Sequence, residues 1–153
     1  MIVFVLRHAD RTSGDDLSLR GQKRAQLLAR MLGESGVSIA FRSDAVRAKL
    51  TLDPLKTALG SKLQVEEVPI VDPNDPTDHI KSVINSIRSF TDDRVVIVVG
   101  HTNTVGPIVQ GLGGNPGSNI GENEFDRMFI LCIRRVLETQ SVQIRFGDPT
   151  PCF

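Results

Sequence analysis

Cysteine, histidine and net charge are all scarce in this chain, and each shortage closes off a class of function. Its 153 residues include two cysteines and three histidines. Cys132 lies in an apolar run and Cys152 in a proline-flanked tail, without the spacing of a metal-ligand set or a disulfide framework, so both read as free thiols in a reducing compartment. Eighteen basic residues balance eighteen acidic ones. No global positive field is present to attract nucleic acid, and any selectivity for anions must be local. No stretch approaches the roughly 18 apolar residues of a membrane span. The apolar opening run is shorter than a signal-peptide core and lacks a basic segment before it. The expectation is a soluble, cytoplasmic protein that engages neither membrane nor nucleic acid, with residues 1–153 forming one domain too short to hold a second catalytic module.

The apolar runs that are present are short and rich in Val and Ile. Ile2-Val3-Phe4-Val5-Leu6 and Val95-Val96-Ile97-Val98-Val99 read as strands buried on both faces of a parallel sheet. After the first run, Ser18 caps a helix whose Ala25, Leu28, Ala29 and Leu32 share a face. Val37 to Phe41 follows as a strand, and Ser43 opens a second helix that Asp53-Pro54 is expected to kink or interrupt. Leu63 to Val71 reads as a third strand, ended by the turn series Asp72-Pro73-Asn74-Asp75-Pro76. Asp75 is placed to cap a helix beginning at Pro76, in which Ile80, Val83, Ile84 and Ile87 repeat at helical spacing. Val105, Ile108, Val109 and Leu112 mark a fourth helix after the second buried run. Successive strand-then-helix units predict a three-layer α/β/α sandwich with a mostly parallel central sheet. Gly111 to Glu124 reads as an irregular loop near the site, and Met128 to Val136 and Val142 to Phe146 as two late strands of undetermined direction.

Two of the three histidines follow the two buried runs: His8 the first, His101 the second. Ligands of open α/β sheets bind beyond the carboxyl ends of such strands. Arg7 precedes His8, and a guanidinium fork suits phosphate. Arg47, in the helix after the second strand, shares a face with Ser43 and Thr51. One unit therefore contributes Arg7 and His8, and others Arg47, Asp72 and His101, to the same rim. Arg7, Arg47 and His101 would bind a phosphoryl group, helped by backbone N–H groups near Thr102 and Asn103 at the start of a helix. His8, neutral and held through its other nitrogen, would attack phosphorus. A carboxylic acid is then needed on the leaving oxygen; Asp72 is the first candidate and Asp75 the second. His79 adjoins the apolar face of its helix without joining it and reads as surface. Thr12, Ser13 and Asp16 are loop residues within possible reach of a substrate, and Asp126 and Arg127 read as structural.

These segments resemble the histidine phosphatase superfamily, also called the phosphoglycerate mutase-like family. Leu6-Arg7-His8-Ala9 is similar to its nucleophile motif, which usually ends in Gly. Leu17-Ser18-Leu19-Arg20-Gly21 is similar to its Leu-Thr-x-x-Gly helix start. Ser43-Asp44-Ala45-Val46-Arg47 with Thr51 and Pro54-Leu55 resembles the segment of the second phosphate arginine, and Gly100-His101-Thr102-Asn103-Thr104 that of the second histidine. The likeness runs in order over about residues 2 to 112. It implies the phosphoglycerate mutase-like fold and a phosphohistidine intermediate on His8, with no metal or other cofactor. The departures are also specific. Larger members carry a glutamate acid after the third strand, where Glu66-Glu67 come too early and Asp72 occupies the place. The long insertions of the mutases are missing too, so the chain is more similar to compact members that act on phosphoesters or on phosphohistidine in proteins. A phosphorylated small molecule or a phosphohistidine protein is the implied partner. The competing readings are a catalytically idle phosphate-binding module and, less well supported, a mutase-type phosphotransferase.

Overall fold

Six strands form one sheet in the order β3-β2-β4-β1-β5-β6, in a computed structural model that describes residues 1–151. Cys152 lies outside the described residues. β1 (Ile2–Arg7) and β4 (Val95–Gly100) are the two central strands and pair in parallel, Arg7 opposite Gly100. β2 (Val37–Arg42) flanks β4, and β3 (Gln64–Glu67) pairs with β2, both in parallel. The two late strands, β5 (Arg127–Cys132) and β6 (Gln140–Arg145), form an antiparallel hairpin, with β5 antiparallel to β1. The sheet is thus mostly parallel.

Alternation along the central strands builds a core on each face. Val3, Val5, Val96 and Val98 face one side, where they meet Val83 and Ile87 of α3 (Thr77–Ser89) and Val105, Ile108 and Val109 of α4 (Val105–Gly111). Leu6, Ile97 and Val99 face the other, where they meet Leu28 and Leu32 of α1 (Leu19–Leu32) and Leu52 and Leu55 of α2 (Val46–Leu59). The three layers are therefore α1 and α2, the sheet, and α3 and α4. The chain leaves β1 toward one helical layer and β4 toward the other. That divergence opens a crevice at the carboxyl ends of the central pair, the switch point where α/β sheets bind ligands.

Local chemistry accounts for most element boundaries. Ser18 caps α1, its Oγ accepting from Gly21 N. Asp75 Oδ1 accepts from the N–H and hydroxyl of Thr77, which starts α3 one residue later than expected. Four expectations need correction. Pro54 does not interrupt α2, which continues to Leu59 because Leu52 and Leu55 on either side are buried in the same core. Ser43 does not cap α2: the helix starts at Val46, and the Ser43 hydroxyl is engaged with His101. β3 is four residues long and ends at Glu67, after which the chain turns away from the sheet. Residues Ile133 to Val136 leave β5, and Val136 and Leu137 are exposed.

The segment from Leu112 to Asp126 has no regular element, yet it is held by two buried arginines. Arg7 Nη1 donates to the carbonyls of Gly121, Glu122 and Glu124. Arg127 donates to those of Pro116, Ser118 and Asn119 and pairs with Glu124 at 2.9 Å. The expected structural part of Arg127 takes this form. No helix among the described residues is long and apolar enough to cross a membrane.

Candidate active site

His8 and His101 follow adjacent strands, so β-sheet register alone brings them together. His8 N donates to the Gly100 carbonyl at 2.9 Å, and the ring centroids lie 5.3 Å apart. Gly100 is needed for this turn, since a Cβ there would lie 2.6 Å from Thr104 Oγ1. That hydroxyl accepts from His101 N at 2.8 Å and fixes the start of the chain's return into α4. A cleft of about 810 Å³ opens here, lined by Arg7, His8, Arg47 and His101 together with Thr102 and Asn103.

The hydrogen bonds set the tautomer of each ring. His8 Nδ1 lies 2.8 Å from the Ala9 carbonyl, which can only accept, so Nδ1 carries the proton and Nε2 keeps its lone pair. Arg47 Nη2, which can only donate, lies 3.3 Å from His101 Nδ1. His101 therefore has its proton on Nε2 and donates it to Ser43 Oγ at 2.7 Å. Burial holds both rings neutral. It pushes His8 down to about 3, Arg7 adding to the effect, and His101 down to about 4, Arg47 adding to it. Desolvation also lowers the buried Arg7 guanidinium to about 10, still charged at neutral pH.

Each cation is held in place. Arg7 lies over the Phe125 ring, 4.1 Å from its centroid, and Phe125 in turn packs 5.8 Å from the His8 ring. Arg47 donates to Asp15 Oδ1 at 2.6 Å, and Asp15 also accepts from the backbone N–H groups of Val46 and Arg47. A carboxylate from the β1–α1 loop thus caps α2 and positions its arginine, and these contacts lower the Asp15 pKa against the opposing pull of desolvation. Thr51 links the same helix to the loop that follows β1. Its Oγ1 accepts from Ala9 N at 2.9 Å and donates to the Arg47 carbonyl.

Behind the loop lies a buried ion pair, Arg24 to Asp10 at 2.6 Å. Arg24 also donates to the carbonyls of Phe146 and Asp148, tying the loop to the end of β6. Thr150 Oγ1 accepts from Phe125 N, which braces the opposite wall of the site.

Arg7, His8, Arg47 and His101 meet in the cleft, and Thr102 and Asn103 line it. Asp72 and Asp75 do not. Both are exposed, and their carboxylates accept from backbone N–H groups two residues on, Asn74 and Thr77. One oxygen of each is engaged in forming a turn. Thr12, Ser13 and Asp16 do not line the cleft either, whereas Arg11 and Asp15 from the same loop do. His79 is buried, not at the surface: because β3 ends early, the Val68 carbonyl turns to meet His79 Nδ1 at 2.7 Å. Sequence reasoning also missed Asp10, Asp15, Arg24 and Glu122. An acidic loop beside an arginine motif was the available signal for Asp15; the others needed the tertiary arrangement.

The sequence matches no family model and no curated protein. The fold does have relatives among solved structures. It superposes on the protein histidine phosphatase SixA complexed with tungstate, with a TM-score of 0.71, 23% identity, and coverage of 95% of this chain and 97% of that one. An alpha-ribazole phosphatase from Shigella flexneri gives 0.68 at 13% identity, covering 97% and 96%. A phosphoglycerate mutase from Plasmodium falciparum gives 0.57 at 19% identity, covering 98% and 92%. The chain has the phosphoglycerate mutase-like fold.

Proposed function

We propose that the chain is a metal-independent phosphatase that hydrolyses a phosphomonoester or a protein phosphohistidine through a phosphohistidine intermediate on His8. One observation carries this reading: a neutral imidazole, its Nδ1 proton held by the Ala9 carbonyl, shares a cleft with two guanidinium groups and a second histidine. His8 Nε2 attacks phosphorus, the bond from phosphorus to the leaving atom breaks, and water later cleaves the P–N bond to release phosphate. Arg7 and Arg47 bear the charge on the transferring oxygens in both steps. An anion seated beside Arg47 raises the proton affinity of His101, whose Nδ1 then turns from acceptor to donor. Likeness in fold to a SixA protein histidine phosphatase and an alpha-ribazole phosphatase supports both substrate classes.

The acid is reassigned from Asp72. Asp15, Asp44 and Glu122 are the carboxylates that line the cleft. Asp15 is committed to Arg47 and α2, and Asp44 accepts from Ile70 N. Glu122, in only a long contact of 3.5 Å with Arg11, is the one left to protonate the leaving oxygen. Two measurements test the assignment. His8→Ala abolishes turnover and the acid-labile phosphoenzyme; retained turnover refutes the mechanism. Glu122→Gln slows alkyl phosphates by about 100-fold while sparing aryl phosphates, whose leaving groups need no proton, and Asp72→Asn changes neither. An inert Glu122→Gln beside a slowed Asp72→Asn reverses the assignment. A catalytically idle phosphate-binding module would instead bind phosphate with no turnover on any ester.

A further inference from the structure

The cleft that would receive a dianion has no surplus of positive charge. Three guanidinium groups line it, those of Arg7, Arg11 and Arg47, and so do three carboxylates, those of Asp15, Asp44 and Glu122. Both histidines are neutral. The two sets are also unevenly placed. Arg7 is buried and Arg47 half-buried beside the histidines, whereas Asp15, Asp44 and Glu122 are all exposed at the rim, where they outnumber the single exposed cation, Arg11. A phosphoryl group at the floor therefore meets cations, and whatever it is attached to meets carboxylates on the way out.

A second feature shows where the attached group goes. Thr102 and Asn103 also line an adjoining groove of about 480 Å³, which continues past Gly106, Pro107 and Gln110 of α4 to Ser118 and Asn119 of the pinned loop. No ionisable side chain among the described residues lines it. Its walls offer amide and hydroxyl groups and the apolar faces of Ile120 and Phe129. Because Arg127 and Arg7 hold the loop carbonyls on either side, the groove is a built feature of the fold.

We propose that the site selects monophosphates whose remainder is uncharged and extended, laid along the groove from Thr102 to Ser118, and turns away substrates that carry a second anionic group. This rests on phosphate binding at Arg7 and Arg47 as argued above and adds the substrate class. Discrimination comes from Asp15 and Asp44, the rim carboxylates that stay ionised while Glu122 carries the leaving-group proton and that outnumber Arg11, so it is electrostatic and sensitive to salt.

The test compares matched esters on the full chain. Phenyl phosphate should exceed 4-carboxyphenyl phosphate in kcat/KM by about tenfold at low ionic strength, and the gap should narrow to about threefold at 0.5 M salt. Asp44→Asn, which keeps the acceptor for Ile70 N and removes a rim charge, should narrow it by about threefold at low salt. Gln110→Trp should raise KM for 4-biphenylyl phosphate several-fold with little effect on phenyl phosphate. Equal rates for the first pair, or a preference indifferent to both salt and Asp44→Asn, overturns the charge filter. An unaltered KM for the biphenylyl ester overturns the groove assignment. Should no ester turn over, calorimetric affinities of the same pairs decide. A tenfold gap in affinity upholds the selection rule while the catalytic reading fails, and the loss of all binding removes both.

Discussion

At the scale of single residues, His8 and His101 are held by opposite tautomers, and the groups that fix them are modest. Ser43 Oγ is the only acceptor of the His101 Nε2–H among the described residues. Replacing it leaves a buried donor unpaired and frees the ring to reorient. Ser43→Ala should cost about 1–3 kcal/mol in stability and lower kcat/KM by about 10- to 100-fold, while Ser43→Thr keeps most of both. Chemical denaturation and steady-state kinetics check the pair of effects; an Ala variant with full activity means the tautomer is set elsewhere. Arg47 is a second case. It makes a single contact of each kind, one to Asp15 and one to His101. Lysine cannot replace a fork that bridges two partners, so Arg47→Lys should raise KM for phosphate esters by about tenfold or more, measured at constant ionic strength.

At the scale of elements, the carboxyl ends of strands deliver the chemistry and the loops that follow aim it. The β1–α1 loop is fixed by close packing. At Gly21 a Cβ would lie 1.9 Å from the Asp10 carbonyl, so α1 approaches the loop as only glycine allows. Gly21→Ala should destabilise the fold by about 3 kcal/mol and reduce activity beyond that loss, because Asp10 and Asp15 move together; a variant with the wild-type unfolding midpoint contradicts the packing argument. The same elements show what a sequence can and cannot reveal. Buried Val- and Ile-rich runs, the Ser18 cap and the helical spacing of Ile80, Val83 and Ile87 are local signals, and they located the strands, helices and histidines. The early end of β3 depends on its edge position, and α2 runs through Pro54 because its neighbours are buried. His79 is buried for a related reason: the Val68 carbonyl that accepts from it belongs to the chain leaving the short β3. The acidic residues are where local signals say least. Asp72 stands where the pattern placed an acid, but its carboxylate closes a turn, while Glu122 approaches the cleft from a distant irregular segment.

At the scale of the whole molecule, all three histidines are buried and resist protonation, with His8 near 3, His101 near 4 and His79 also lowered by burial. The unfolded chain binds protons on these rings near the ordinary value of about 6.5, and the native chain does not. Stability therefore falls as pH drops from 7 to 5, by about 2 kcal/mol for each of His8 and His101, with His79 adding loss of the same sign. The lowered carboxylates Asp15 and Asp126 add loss of the same sign only below that window, as pH falls through the ordinary carboxylate range and beyond. Urea unfolding at pH 7 and pH 5 measures the slope, and His8→Asn should flatten it by about one proton; equal stability at both pH values contradicts the buried neutral rings. The tail after β6 adds one further consequence. The carbonyls of Phe146 and Asp148 receive Arg24, and Thr150 receives the Phe125 amide, so both sides of the histidine pair lean on the same few residues. Proteolytic clipping at this stretch, or a bulky fusion that pulls on it, would register as slackened chemistry more than twenty residues away from any catalytic motif, making the carboxyl-terminal strap a remote handle on turnover.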